Sequence, residues 1–153
     1  MGLELEQIGI IGLGLIGGSL AAAIKSRFNS IIINAYDTDQ NALQRGLSDG
    51  LIDEACESVQ QVAANSDLIV LAVPVNSANA NLIQLADFKG IITDVGSVKA
   101  PLLASAREVF GDLSQVVPGH PIAGYEKHGV EAADASLFAD HKVILTPTSD
   151  TRP

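Results

Sequence analysis

Histidine is the side chain that can take and return a proton near neutral pH. Of three histidines in the chain, His120 has the constrained setting, between Gly119 and Pro121 in Gly119-His120-Pro121-Ile122-Ala123-Gly124. The spacing predicts a rigid turn there, following a short apolar run, Gln115-Val116-Val117-Pro118. Ser97 follows Gly96 at the end of another such run. Oxidation of an alcohol removes a hydride and a hydroxyl proton together: His120 could take the proton and Ser97 orient it. Two plainer readings stand beside this one, Ser97 as a cap for the next helix and His120 as a structural residue. His128 and His141 lie in polar, loop-like sequence and read as surface residues, and without acids or thiols at ligand spacing the three make no metal site.

A hydride needs an acceptor, and the sequence offers a place for one. In Ile8-Gly9-Ile10-Ile11-Gly12-Leu13-Gly14-Leu15-Ile16-Gly17-Gly18, an apolar run stops at glycine and a helix-like run of Leu, Ala and Ile follows. Gly12 turns the backbone, Gly14 lets a pyrophosphate approach the main chain, and Gly17 lets a helix pack on the strand. The first amides of that helix, at Leu15 and Ile16, would face the phosphates. A second apolar run, Ser30 to Tyr36, ends at Asp37, where a carboxylate would accept hydrogen bonds from a ribose and repel the extra phosphate of NADP. Thr38 and Asp39 follow rather than Arg or Lys, which favours NAD. As a turn residue ahead of a helix cap, Asp37 has a plainer role as well.

These residues need a frame that brings strand ends together. A helix over Leu15 to Phe28 would put Leu20, Ala23 and Ile24 on one face, and further helices are expected from Asp39, over Ser58–Ala64, Ala78–Leu85, Pro101–Phe110 and Ala132–Leu137. Leu51 to Glu54 reads equally as a short strand or a turn. Asp67 to Val73, ended by Pro74, is a continuous apolar run suited to a central parallel strand buried on both faces. Gly90–Val95, Gln115–Pro118 and Lys142–Pro147 are the remaining strands. Alternation of this kind predicts an α/β fold, a Rossmann-type doubly wound and mostly parallel sheet with helices on both faces, its ligands lying beyond the strand carboxyl ends. Val73 and Pro74 would then touch the cofactor, or serve only as core and turn.

With 153 residues the chain suits one dinucleotide-binding domain over 1–153. Hydrophobic residues at 47% and charged ones at 18% exclude a disordered chain. A net charge of -9 opposes nucleic-acid and anionic-membrane partners. The acids at Glu4 and Glu6 argue against a signal peptide, Glu6 breaks the Gly2 myristoylation pattern, and five glycines interrupt the most apolar stretch, residues 8–24. The lone Cys56 reads as a small buried or half-exposed side chain in a reducing cytoplasm. The polar ending Thr148 to Pro153 looks like a boundary with a further domain.

The glycine turn with Ser19-Leu20, then Thr93-Asp94-Val95-Gly96-Ser97-Val98-Lys99, then Gly119 to Gly124 with Glu126-Lys127 and Gly129-Val130, and last Val143 to Pro147, resemble the prephenate and arogenate dehydrogenase family of tyrosine biosynthesis. The resemblance covers nearly the whole chain, and its specific parts are GSVK and GHPIAG. It implies oxidative decarboxylation of a cyclohexadienyl ring, with His120 on the ring hydroxyl, Ser97 near that hydroxyl and the nicotinamide, and Glu126 in a loop governing access. It also implies a second, helical domain that forms a homodimer and supplies an arginine for a substrate carboxylate. That part lies outside this sequence, so the chain alone is expected to be inactive or nearly so. Two rivals share the glycine turn: a β-hydroxyacid or imine-reductase type of dehydrogenase, and a non-catalytic NAD-sensing domain.

Overall fold

The computed structural model describes residues 4–124 and 126–152, so the reading of the Met1-Gly2 start lies outside the described residues. At its centre is β1 (Gln7–Ile11), which pairs in parallel with β2 (Ile32–Tyr36) on one side and β4 (Leu68–Leu71) on the other. β3 (Glu54–Ala55) and β5 (Ile91–Asp94) extend the sheet to the order β3-β2-β1-β4-β5, all parallel. Neighbouring side chains on a strand point to opposite faces, so each face of the central strands is apolar and must be covered. α1 (Leu15–Arg27) and α2 (Gln40–Ser48) lie on the face of Ile8, Ile10, Ile33 and Val70; α3 (Val59–Ala64), α4 (Val75–Gln84) and α5 (Ala100–Phe110) lie on that of Ile11, Ile69, Leu71 and Ile92. The doubly wound Rossmann-type sheet expected from the alternation is the fold. Gly9 shows how closely its layers meet: a Cβ there would stand 2.5 Å from Val62 Cγ1 and 2.6 Å from Ser66 Oγ.

Local chemistry sets several boundaries. Asp39 caps α2 by accepting the Asn41 N–H at 2.9 Å, and Ser58 caps α3 by accepting the Gln61 N–H at 3.1 Å. Cys56 is buried in the core, where burial and then Glu54 push its thiol up to about 11. The undecided stretch Leu51–Glu54 bends through its first three residues and enters the short strand β3 at Glu54.

Four expectations need correction. α4 starts at Val75 rather than Ala78, because Pro74, with φ fixed at -55°, occupies the position ahead of the helix and its carbonyl accepts the Ser77 N–H. Gln115–Pro118 is not a strand: only Val116 bridges to Ile92, and the run ends at Pro118, which has no N–H for a ladder. Gly119-His120-Pro121 is not a turn but a strand, β6, antiparallel to β7 (Val143–Leu145), with His120 opposite Ile144. The helix expected over Ala132–Leu137 shrinks to a 3₁₀ turn, Val130–Ala132. Beyond it the Asp134 carboxylate accepts both the N–H and the hydroxyl of Ser136, a local bond that competes with helix. Leu20, Ala23 and Ile24 do share a face of α1, but they line an apolar groove of about 500 Å³ with Phe28, Val143 and Leu145.

Lys25 anchors the end of α1 by an ion pair to Asp53 and a hydrogen bond to the Ile31 carbonyl at 3.0 Å. Burial alone would raise the Asp53 carboxyl; the hydrogen bonds from Lys25 and the Ile33 N–H outweigh it and hold the group below the ordinary 3.8. A carboxyl lowered in the folded state stabilises fully above its unfolded pKa, and this contribution is lost as pH falls through the lower folded value. The melting-temperature gap between the parent and Asp53→Asn is therefore expected to shrink as the medium is taken from about pH 6 to about pH 3. A gap that stays constant over that range would show the carboxyl to be uncoupled from folding.

Candidate active site

β1 stops at Gly12, whose φ of +96° suits glycine and whose Cα faces the Ala72 carbonyl so closely that a Cβ would overlap it. Val73 Cγ1 would lie 3.0 Å from the same atom, which puts the end of β4 against the turn. A Cβ at Gly17 would overlap the Gly12 carbonyl oxygen and stand 3.2 Å from Ile10 Cγ2. Gly14 differs: no heavy atom lies within 4 Å of the place its Cβ would take. Two of the glycines thus answer to packing inside the protein, while Gly14 keeps open a space outside it.

That space adjoins the start of α1. Gly14 is the N-cap and offers no side-chain cap, and no acid occupies the first turn. The first helical bond runs from the Gly18 N–H to the Gly14 carbonyl at 2.9 Å, so the amides of Leu15, Ile16 and Gly17 precede the intrahelical ladder. Uncapped donors at the positive end of a helix dipole suit an anionic ligand.

Asp37 follows the end of β2 and reaches across to the same turn. One of its oxygens accepts the Leu13 N–H at 2.6 Å, and the other accepts the Asp39 N–H at 2.8 Å. The carboxylate therefore shapes the glycine turn and the lead into α2, and it also lines a concavity of about 500 Å³ with Gly14, Asp39, Arg45 and Glu131. The turn role and a place on the wall of the concavity coexist. Pro74 is exposed ahead of α4, whereas Val73 is half-buried beside Gly12.

The backbone segments that carry Ser97 and His120 are joined through Asp94, a residue to which the sequence reading gave no role. Asp94 ends β5 at 7% exposure. Its Oδ1 accepts the Gly119 N–H at 3.0 Å, and its Oδ2 accepts the Gly96 N–H at 3.1 Å and pairs with the Lys99 ammonium. Ser97 stands exposed in the loop after Gly96; His120 is half-buried in β6 after Gly119. Ser97 does not cap α5, whose N-cap position is Lys99. The signal that would have found the pair was an acid at a strand end with a lysine five residues on.

Glu126 is exposed in the segment after β6. That segment docks farther along, where Val130 Cγ2 would lie 3.3 Å from a Cβ at Gly18 and the Asp134 N–H donates to the buried Ser19 hydroxyl at 2.9 Å. Gly18 and Ser19, the second half of the Gly17-Gly18-Ser19 run, thus receive the strap that forms one wall of the concavity. Among the described residues no three His, Cys, Asp or Glu side chains converge in a way that could hold a metal ion.

Residues 20–153 match the family model for the nucleotide-binding domain of prephenate dehydrogenase. The chain is 36% identical to the cyclohexadienyl dehydrogenase of Zymomonas mobilis over 149 residues, covering 95% of this chain and 50% of that protein. A crystal structure of prephenate dehydrogenase from A. aeolicus, in complex with hydroxyphenyl propionate and NAD+, superposes with a TM-score of 0.89 at 33% identity, over 99% of this chain and 54% of that one. The Synechocystis arogenate dehydrogenase superposes with a TM-score of 0.86 at 30% identity, over 96% and 52% of the two chains. The chain thus spans about half the length of these relatives.

Proposed function

The chain belongs to the prephenate dehydrogenase family, as its nucleotide-binding domain, and on that premise we propose that it binds NAD and serves the oxidative decarboxylation of a cyclohexadienyl substrate, prephenate or arogenate. The observation that carries the reading is the tie through Asp94, which joins the segments of Ser97 and His120 at the carboxyl edge of the sheet that also carries the glycine turn. The named relatives support the cofactor and the substrate class.

In this reading the amides of Leu15, Ile16 and Gly17 hold the pyrophosphate across the open face of Gly14, Asp37 receives the adenosine ribose, and Val73 with Pro74 packs along the cofactor. Bound NAD supplies the hydride acceptor. His120 hydrogen-bonds the ring hydroxyl and takes its proton as the carbinol carbon gives up hydride, and Ser97 holds that hydroxyl in line. Loss of carbon dioxide from the opposite ring carbon leaves an aromatic ring, which makes the overall step strongly downhill. One base and correct positioning suffice for such a reaction. Glu126 acts at the entrance. The substrate-binding arginine and the homodimer contact belong, in the same reading, to a helical part comparable to the half of the relatives that this chain does not span. A reducing cytoplasmic setting is part of the proposal, supported by the single buried Cys56.

The test is NADH formation by a protein that carries this chain together with such a helical part, with prephenate and arogenate as alternative substrates. Rapid turnover with either is expected, and the preferred one names the substrate. The 153-residue chain alone is expected to bind NAD at least tenfold, or about 1.4 kcal/mol, more tightly than NADP, because Asp37 and Asp39 repel a ribose phosphate, and to turn over slowly or not at all. NAD binding without turnover of either substrate by the longer protein would instead favour a sensing domain.

A further inference from the structure

We propose that the Asp94–Lys99 ion pair is a positioning element for the reaction proposed above, a clamp that sets Ser97 and His120 in one geometry; the proposal rests on that functional reading. Gly119, immediately before His120, is held through both of its backbone polar groups, since Asp94 accepts its N–H and the Lys99 ammonium donates to its carbonyl at 2.5 Å. Gly96, immediately before Ser97, gives its N–H to the same Asp94 carboxylate. The fit is tight as well: a Cβ at Gly119 would lie 2.9 Å from the Asp94 carbonyl oxygen and 3.2 Å from Thr93 Oγ1.

The rest of the fold does not supply this alignment. β6 pairs with β7, and β7 is exposed along all three residues, so no ladder of the main sheet fixes where His120 lies. Just ahead of β6, among the described residues, the main sheet is joined by a single bridge, from Val116 to Ile92. The pair is also poorly explained as a simple source of stability. Both side chains are largely buried, 8% exposed for Asp94 and 15% for Lys99, and removing two charges from water offsets much of their attraction. Lys99 moreover stands at the N-cap of α5, the end of a helix where a cation is disfavoured. What such a pair does provide is direction. Four bonds converge on two charged groups, and the residues that follow the bonded Gly96 and Gly119 are those that would orient and deprotonate the substrate.

The test uses the longer NAD-dependent protein and three variants: Lys99→Met, which leaves Asp94 its two backbone donors, Asp94→Asn, and both together, which leaves no buried charge unpaired. Amide proton shifts of Gly96 and Gly119 report whether the clamp has opened. Misplacement of a reacting group by about 1 Å lowers turnover roughly 10²-fold, so kcat is expected to fall by about that factor in Lys99→Met while the dissociation constant for NAD changes less than about threefold. General structural damage would move both. Turnover within twofold of the parent, with the Gly119 shift showing an open clamp, would overturn the proposal and leave the functional reading intact. Absence of turnover in the parent would overturn the reading and this proposal with it. Failure of all three variants to fold would make the pair a folding determinant and would also overturn it.

Discussion

In the longer protein that carries the helical part, replacing His120 by Asn is expected to lower turnover of the proposed cyclohexadienyl substrate about 10³-fold while NAD affinity stays within about twofold, the range typical of losing a positioned general base. Asn retains a side-chain hydrogen-bonding group but cannot store a proton at neutral pH. The backbone should not object, because His120 lies in an antiparallel strand opposite Ile144 and the placement of the segment comes from Gly119 through Asp94 and Lys99. The two other histidines are internal controls. His128 is exposed, and His141 is exposed with its Nδ1 bonded to the Ala139 carbonyl at 2.8 Å, so neither substitution should change turnover. NADH formation under substrate saturation, read beside an NAD titration, decides the matter. A His120→Asn protein that keeps more than about a tenth of parental turnover would remove the imidazole from the role of base and favour a dehydrogenase whose catalytic groups lie elsewhere.

The second large effect separates the glycines of the turn. Gly17→Ala would drive a Cβ into the Gly12 carbonyl oxygen, a backbone atom that cannot swing aside, and press on Ile10 Cγ2. A loss of about 3 kcal/mol is expected, the upper range for forcing extra volume into a packed site. For a domain of this size that is roughly a 10 °C fall in melting temperature. Gly14→Ala places its Cβ where no heavy atom lies within 4 Å, at an ordinary φ of -89°. Because Ala is a poorer N-cap than Gly, its melting temperature should fall by only about 2–4 °C, the effect of about 1 kcal/mol. Its NAD affinity should nevertheless fall at least tenfold, or about 1.4 kcal/mol, since the methyl enters the space proposed for the pyrophosphate. Equal melting temperatures for the two variants would contradict the packing at Gly17, and unchanged NAD binding by Gly14→Ala would contradict the placement of the cofactor.

Much of the frame was legible before the structure. Apolar runs of four or five residues separated by helix-forming stretches are a local property, and they announced β1, β2, β4 and β5 because a parallel sheet covered on both faces needs strands that are apolar on both sides. The cap near Asp39 was legible because its side chain bonds an amide only two residues away. The errors fell where the deciding partner is distant. His120 belongs to a strand because Val143–Leu145, more than twenty residues later, supplies its ladder. Gln115–Pro118 forms no ladder for want of an amide at Pro118, and α4 starts at Val75 because Pro74, just past the apolar run of β4, also leads a helix.

By itself, then, the amino-acid sequence determined the layered parallel sheet, the glycine turn at its central strand and the acid after β2. These follow from side-chain size, backbone freedom and polarity within a few residues of one another. The tertiary structure put contacts on the glycine spacing, with Gly12 and Gly17 against backbone carbonyls and Gly14 facing open space. It alone showed that Asp94 and Lys99 join the loop of Ser97 to the strand of His120, and that Gly18 and Ser19 receive the strap around Val130. Those facts depend on which distant segments meet in the folded chain. A meeting across twenty or a hundred residues is set by the packing of the layers between them, and it leaves no period or spacing in the sequence to read.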